Sequence, residues 1–137
     1  MHEKIFTSNA IMKKKILVID DDATIRFLLD KILDQKYEVE LKGDGYEALD
    51  WLNAGNIPDL IIVDMEMPNI NGKVLLRRIK FSPKYRFVPI IVISATENKT
   101  IKNNFIKLGA ADYIVKPFMN VDLLERIENA LNEAKSQ

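Results

Sequence analysis

The sequence predicts an α/β fold: a five-stranded parallel sheet covered on both faces by five helices. Three observations predict it. Residues 16–19 (ILVI), 60–63 (LIIV) and 90–93 (IIVI) are apolar runs without alternation, as expected of strands buried on both faces. Segments of helical period separate them. The alternation of strand and helix continues to the end of the chain, which calls for right-handed crossovers over a parallel sheet.

The elements follow in order. The first strand, residues 16–19, stops at Asp20. Ile25, Leu28, Leu29, Ile32 and Leu33 then fall at i, i+3, i+4, i+7 and i+8, the apolar stripe of an amphipathic helix. Tyr37, Val39 and Leu41 alternate with Glu38 and Glu40, so the second strand has one wet face and belongs at an edge. Gly43-Asp44-Gly45 reads as a turn, and the helix after it carries Ala48, Leu49 and Leu52 and ends near Gly55. The third strand is 60–63. A loop over 68–72 leads to a helix with Val74, Leu75 and Ile79. Pro89 opens the fourth strand, 90–93, where a missing N–H is tolerated. Ile101, Phe105 and Leu108 mark a helix closed by Gly109 as its C′ residue. The fifth strand is 113–115, and Asn120 is placed to cap a last helix carrying Leu124, Ile127 and Leu131.

The 137 residues fit one domain, and 47% hydrophobic with 29% charged residues is ordinary globular composition. A formal net charge of zero gives no electrostatic case for nucleic acid or an anionic membrane. Cysteine is absent, which excludes disulfides and thiolate metal sites and is compatible with the cytoplasm. No run approaches the roughly 20 apolar residues of a membrane span. Residues 1–12 show no clear period and read as a flexible extension from an upstream start codon, leaving a domain over 13–135. The basic run Lys13-Lys14-Lys15 follows the few apolar residues of that extension, the reverse of a secretory signal. The sole histidine, His2, lies there, so the folded part has none for a metal site or a phosphohistidine.

The informative polar residues lie just past the carboxyl ends of strands: Asp20, Asp21 and Asp22 after the first, Asp64 after the third, Ser94 after the fourth, Lys116 after the fifth. In open α/β sheets the ligand site lies outside those ends. Taken singly, each has a bland reading. The Asp20-Asp21-Asp22 run can cap a helix, Asp64 can serve a turn, and Lys116 and Ser94 can be ordinary solvated side chains. Together they describe a chemistry. Asp20, Asp21 and Asp64 in one crevice repel one another, and a hard divalent cation relieves that repulsion. Carboxylate oxygens without His or Cys suit Mg²⁺. Lys116 supplies a compact positive charge and Ser94 a hydroxyl donor. Phosphoryl transfer onto Asp64 needs little beyond such positioning and neutralisation. Asp22 reads as a helix cap only.

The segments ILVIDDDATIRFLL, LIIVDMEMPNINGKVLL, VPIIVISA and GAADYIVKPF closely resemble the receiver domain of two-component response regulators, in order and with the expected spacing over about residues 13–135. The likeness is to the chemotaxis-regulator type of single-domain receiver. It implies a flavodoxin-like doubly wound sheet of strand order 2-1-3-4-5. It implies Asp64 as phosphoacceptor, Asp21 as direct Mg²⁺ ligand, Asp20 as partner acid, and the Glu66 backbone carbonyl completing the metal shell. Ser94 is similar to the hydroxyl residue that moves toward the phosphoryl group, Tyr113 to the aromatic that swings inward past the small Ala95, and Lys116 to the family lysine. A cis bond at Lys116–Pro117 is implied as well.

The resemblance further implies a phosphoryl group passed from a sensor histidine kinase or a histidine phosphotransfer protein, and a changed surface over about residues 97–131 for a downstream protein partner. Direct nucleic-acid binding and membrane insertion are not expected. Nor is an enzyme: the expected protein is a phosphoacceptor switch that catalyses only its own phosphorylation and slow autodephosphorylation. Glu66 and Thr96 flank the site and bear on the lifetime of the phospho-form. A stand-alone regulator, a relay and a receiver excised from a longer protein all fit the chain.

Two rival functions stand beside this one. A Mg²⁺-dependent aspartyl-phosphate hydrolase would have a second aspartate two positions after the nucleophile, where Glu66 stands, and a Thr at the next alternate position, where Pro68 stands. A flavodoxin-like nucleotide binder would have a glycine-rich loop after the first strand, and residues 20–26 contain no glycine. Lys73, Arg77, Arg78, Lys80, Lys84 and Arg86, with no acid among residues 70–87, read as a solvated helix face ahead of a docking patch. Trp51 and Tyr85 read as partly buried packing residues.

Overall fold

The computed structural model describes residues 13–135. The extension expected over 1–12 lies outside them. Five strands, β1 (Lys15–Ile19), β2 (Glu38–Lys42), β3 (Leu60–Asp64), β4 (Ile90–Ser94) and β5 (Asp112–Val115), alternate with five helices. These are α1 (Ala23–Leu33), α2 (Gly45–Asn53), α3 (Gly72–Phe81), α4 (Lys99–Lys107) and α5 (Asn120–Lys135). Every strand pairing is parallel and the order is β2-β1-β3-β4-β5, the flavodoxin-like arrangement expected. β2 is an edge, as its charged alternation requires.

The strands' two-residue period divides the core into two layers. Leu17, Ile19, Ile61, Val63, Ile90 and Val92 pack with Leu52 of α2, Leu75 and Ile79 of α3 and Phe105 of α4. Ile16, Val18, Leu60, Ile62, Ile91 and Ile93 pack on the other face with Leu29 and Leu33 of α1 and Leu123 and Ile127 of α5. The central runs therefore lack alternation because both faces are covered. The Tyr85 hydroxyl donates to the Leu52 carbonyl, so this tyrosine is buried core, and Trp51 packs half-buried at the margin of the same layer.

Side-chain caps start the helices. Asp22 accepts from the N–H groups of Thr24 and Ile25, Asp44 from Glu47, Asn71 from Val74 and Asn98 from Ile101. Each such cap contributes on the order of 1 kcal/mol. Three local expectations are corrected. Gly45 is the first residue of α2 and not part of the turn before it, because the Asp44 cap starts the helix there. Val74 is exposed, and α3 buries Gly72, Leu75, Leu76 and Ile79, a stripe at i, i+3, i+4 and i+7. Asn120 lies inside α5, and the Met119 carbonyl accepts the opening bond from the Leu123 N–H. Gly109 follows α4 with φ +109°, the left-handed backbone that favours glycine.

Candidate functional site

Register brings the polar residues together. Ile19 of β1 pairs with Val63 of β3, Asp64 with Ile93 of β4, and Ser94 with Val115 of β5. Asp20, Asp64, Ser94 and Lys116 thus share one rim of the sheet. Parity then sorts them. Asp20, Asp64 and Lys116 continue the positions of Val18, Ile62 and Ile114, which face α1 and α5. Ser94 and Tyr113 continue the other face, toward α3 and α4.

The result is a buried charge cluster. Asp20 and Asp64 are 2% and 4% exposed, whereas Asp21 is open to solvent. One carboxylate oxygen from each of the three lies within 4.8 Å of the others. Lys116 Nζ lies 3.2 Å from Asp64 and 3.6 Å from Asp20. The Lys116–Pro117 peptide bond is cis. Arg26 of α1 donates to the Asp20 carbonyl at 2.7 Å, and the Asp22 N–H donates to the Asp20 carboxylate at 2.9 Å, fixing the acidic loop.

Burial lifts the Asp64 carboxyl from 3.8 to about 6, and the Asp20 charge adds to the rise. Lys116 and the Glu66 N–H oppose it. Asp20 is raised by burial too, against its bond from Asp22 and the Lys116 charge. Burial works to lower Lys116, but Asp20 and Asp64 together outweigh it and hold the ammonium above its ordinary range. One lysine therefore does not neutralise the two buried carboxylates.

Glu66, expected to act through its backbone carbonyl, also has an engaged side chain. Its side chain accepts from the Ser94 hydroxyl at 2.7 Å and from the Ala95 N–H at 3.3 Å. The Ser94 oxygen in turn accepts from the Thr96 N–H. Tyr113 is 2% exposed, with its hydroxyl donating to the Thr96 carbonyl at 3.0 Å and its ring 5.8 Å from that of Phe105. No local motif marks the bond from Arg26 to Asp20, the contact of Phe105 with Tyr113 or the bond between Ser94 and the Glu66 carboxylate. Gly72, expected in the loop over 68–72, is instead the first residue of α3, eight positions after Asp64, because the Asn71 cap starts the helix there.

Residues 16–128 match the family model of the response regulator receiver domain. The chain belongs to the response regulator receiver domain family. The chain is 34% identical to the response regulator PleD of Caulobacter vibrioides over 86% of its own length and 26% of that protein. It is 31% identical to the cyclic di-GMP phosphodiesterase response regulator RpfG of Xanthomonas campestris over 92% of its length and 34% of that protein. The chain thus spans about a quarter to a third of these two relatives. The chemotaxis protein CheY4 of Vibrio cholerae superposes with a TM-score of 0.80 at 31% identity, covering 86% of this chain and 98% of that one.

These relatives correct one expectation. RpfG is a phosphodiesterase by name, so the family includes enzymes, and membership does not make a protein a non-enzyme. Receiver domains bind Mg²⁺ at an acidic pocket and interact with histidine kinases or phosphotransfer proteins. Asp20, Asp21 and Asp64 form an acidic cluster that could hold a metal ion. Among the described residues no helix is long and apolar enough to cross a membrane.

Proposed function

We propose that this receiver, spanning residues 13–135, accepts a phosphoryl group on Asp64 and thereby switches a protein-interaction surface. The observation that carries this reading is the Lys116 ammonium 3.2 Å from Asp64 and 3.6 Å from Asp20, beside a third carboxylate on Asp21. Raised by burial to about 6, the Asp64 carboxyl is still mostly ionised at pH 7 and available as a nucleophile. An Asp64 oxygen attacks the phosphorus of a phosphohistidine on a sensor histidine kinase or histidine phosphotransfer protein. The P–O bond forms as the P–N bond breaks, and the histidine nitrogen regains a proton. Such donors place the protein in the cytoplasm.

Three carboxylates with no sulfur or imidazole nearby fit Mg²⁺. Asp20, Asp21 and Asp64 would hold it with the Glu66 carbonyl. When bound, the ion supplies neutralisation of the charge that builds on the phosphoryl oxygens. Lys116 would pair with a phosphoryl oxygen. Ser94 must release the Glu66 carboxylate to donate to the phosphoryl group. That exchange frees the loop at Ala95 and Thr96, to which Tyr113 is bonded, and passes the change to α4, β5 and α5 and to a downstream protein partner. The hydrolase alternative gains nothing here, because the Glu66 carboxylate is engaged by Ser94 and Ala95.

Incubation with Mg²⁺ and acetyl phosphate tests the reading. Intact mass should show one added phosphoryl group on the wild type and none on Asp64→Asn. No adduct on wild type, or an equal one on the variant, would sink it. Mg²⁺ alone should raise the unfolding midpoint. At free Mg²⁺ ten times Kd the gain is about 1.4 kcal/mol. Asp21→Asn should lose most of that gain in a thermal melt, and an undiminished shift would remove Asp21 from the ligand set.

A further inference from the structure

The seam between α3 and α4 is an open groove. It begins at the loop after Asp64, where Met65, Ile101, Phe105 and Leu108 line a cavity of about 390 Å³. It continues between Lys73, Arg77 and Lys107 to Phe81, which is 86% exposed. α3 and α4 together carry seven cationic side chains and no carboxylate, in a chain of zero formal net charge. Among the described residues, none of Lys73, Arg77 and Lys107 has an ion-pair partner. A merely solvated face accounts for the cations. It does not account for the apolar lining at the two ends, Met65, Ile101 and Phe105 at one and exposed Phe81 at the other, with Leu108 between the cations.

We infer that this groove docks an acidic, amphipathic segment of a partner protein, apolar side chains down and carboxylates toward Lys73, Arg77 and Lys107. The charge is complementary to such a segment. The ten residues of α3 give a groove about 15 Å long, room for about three helical turns. Nucleic acid fits less well, because the floor is apolar and the Glu66 carboxylate lines one end. The groove reaches the loop that carries Asp64, but the inference does not depend on phosphorylation.

The test uses the full unphosphorylated chain and a labelled helical peptide of about 12 residues, roughly three turns, with Leu at i, i+3, i+4 and i+7 and Glu elsewhere. Saturable binding is expected, with amide shift changes confined to residues 65–81 and 101–108. Arg77→Glu/Lys107→Glu changes two exposed side chains and should weaken binding by about tenfold or more. The neutral pair Arg77→Gln/Lys107→Gln should fall between, and a Lys-for-Glu peptide should not bind. Binding unaffected by charge reversal would overturn the inference. So would tighter binding of duplex DNA than of the peptide, or sedimentation showing the groove closed by a second copy of the chain.

Discussion

Asp64→Asn stabilises the metal-free protein at pH 7 by about 1–3 kcal/mol. The expectation follows from a carboxyl that is 4% exposed, close to Asp20, and lifted from 3.8 to about 6 despite Lys116. Well below pH 3.8 Asp64 is protonated in the native and unfolded chains alike, and its charge contributes nothing. Between 3.8 and about 6 the native state binds the extra proton, so stability falls as pH rises through that window. Above it the native carboxylate is ionised against its environment, at a cost of up to about 3 kcal/mol. Asparagine keeps the shape and removes the charge, and Lys116 retains Asp20 as partner. Urea unfolding in EDTA should show the gap between variant and wild type opening from pH 4 to pH 7. With Mg²⁺ present it should narrow, because the ion binds the wild type more tightly. A variant no more stable than wild type at pH 7 in EDTA would show that Lys116 already balances the site.

On this expectation the cluster is destabilising by itself, as where folding stability is given up for a chemical role. That property was legible in sequence through position. Asp20, Asp64 and Lys116 each stand one step past an apolar run, and the parity of those runs sends all three to the same side of the rim. The sheet was legible because strands covered on both faces carry no polar residue to confuse the period. The Glu66–Ser94 bond was not, since it depends on how the loop after β3 folds back over β4. Val74 was misjudged because three consecutive apolar residues, Val74, Leu75 and Leu76, leave the phase of α3 open. Only the packing of Leu75 and Leu76 against the sheet decides it. The apolar lining beside the basic stretch is not legible from that stretch alone, because it comes from α4 and the Leu108 that follows it, about thirty residues away.

Gly72→Ala destabilises the protein by about 1–3 kcal/mol. Helix propensity argues the other way, since alanine for glycine inside a helix is worth about 0.5–1 kcal/mol of added stability. Contact decides the sign. A Cβ at Gly72 would lie 2.7 Å from the Asp64 carbonyl oxygen and 2.9 Å from the Met65 Cα, both backbone atoms that cannot rotate away. The Gly72 N–H donates to the Met65 carbonyl at 3.1 Å, so α3 begins pressed against the chain that carries Asp64. Relief requires either shifting the start of α3, whose Leu75, Leu76 and Ile79 are buried, or displacing Asp64 from Lys116. Lys73→Ala, one position on and exposed, is the control and should change stability little. Because the displaced atoms belong to Asp64, phosphoryl uptake from acetyl phosphate should also slow in Gly72→Ala and stay normal in Lys73→Ala. A Gly72→Ala protein as stable as wild type would mean the loop after β3 yields freely. The tight approach of α3 would then not be what holds Asp64 in place.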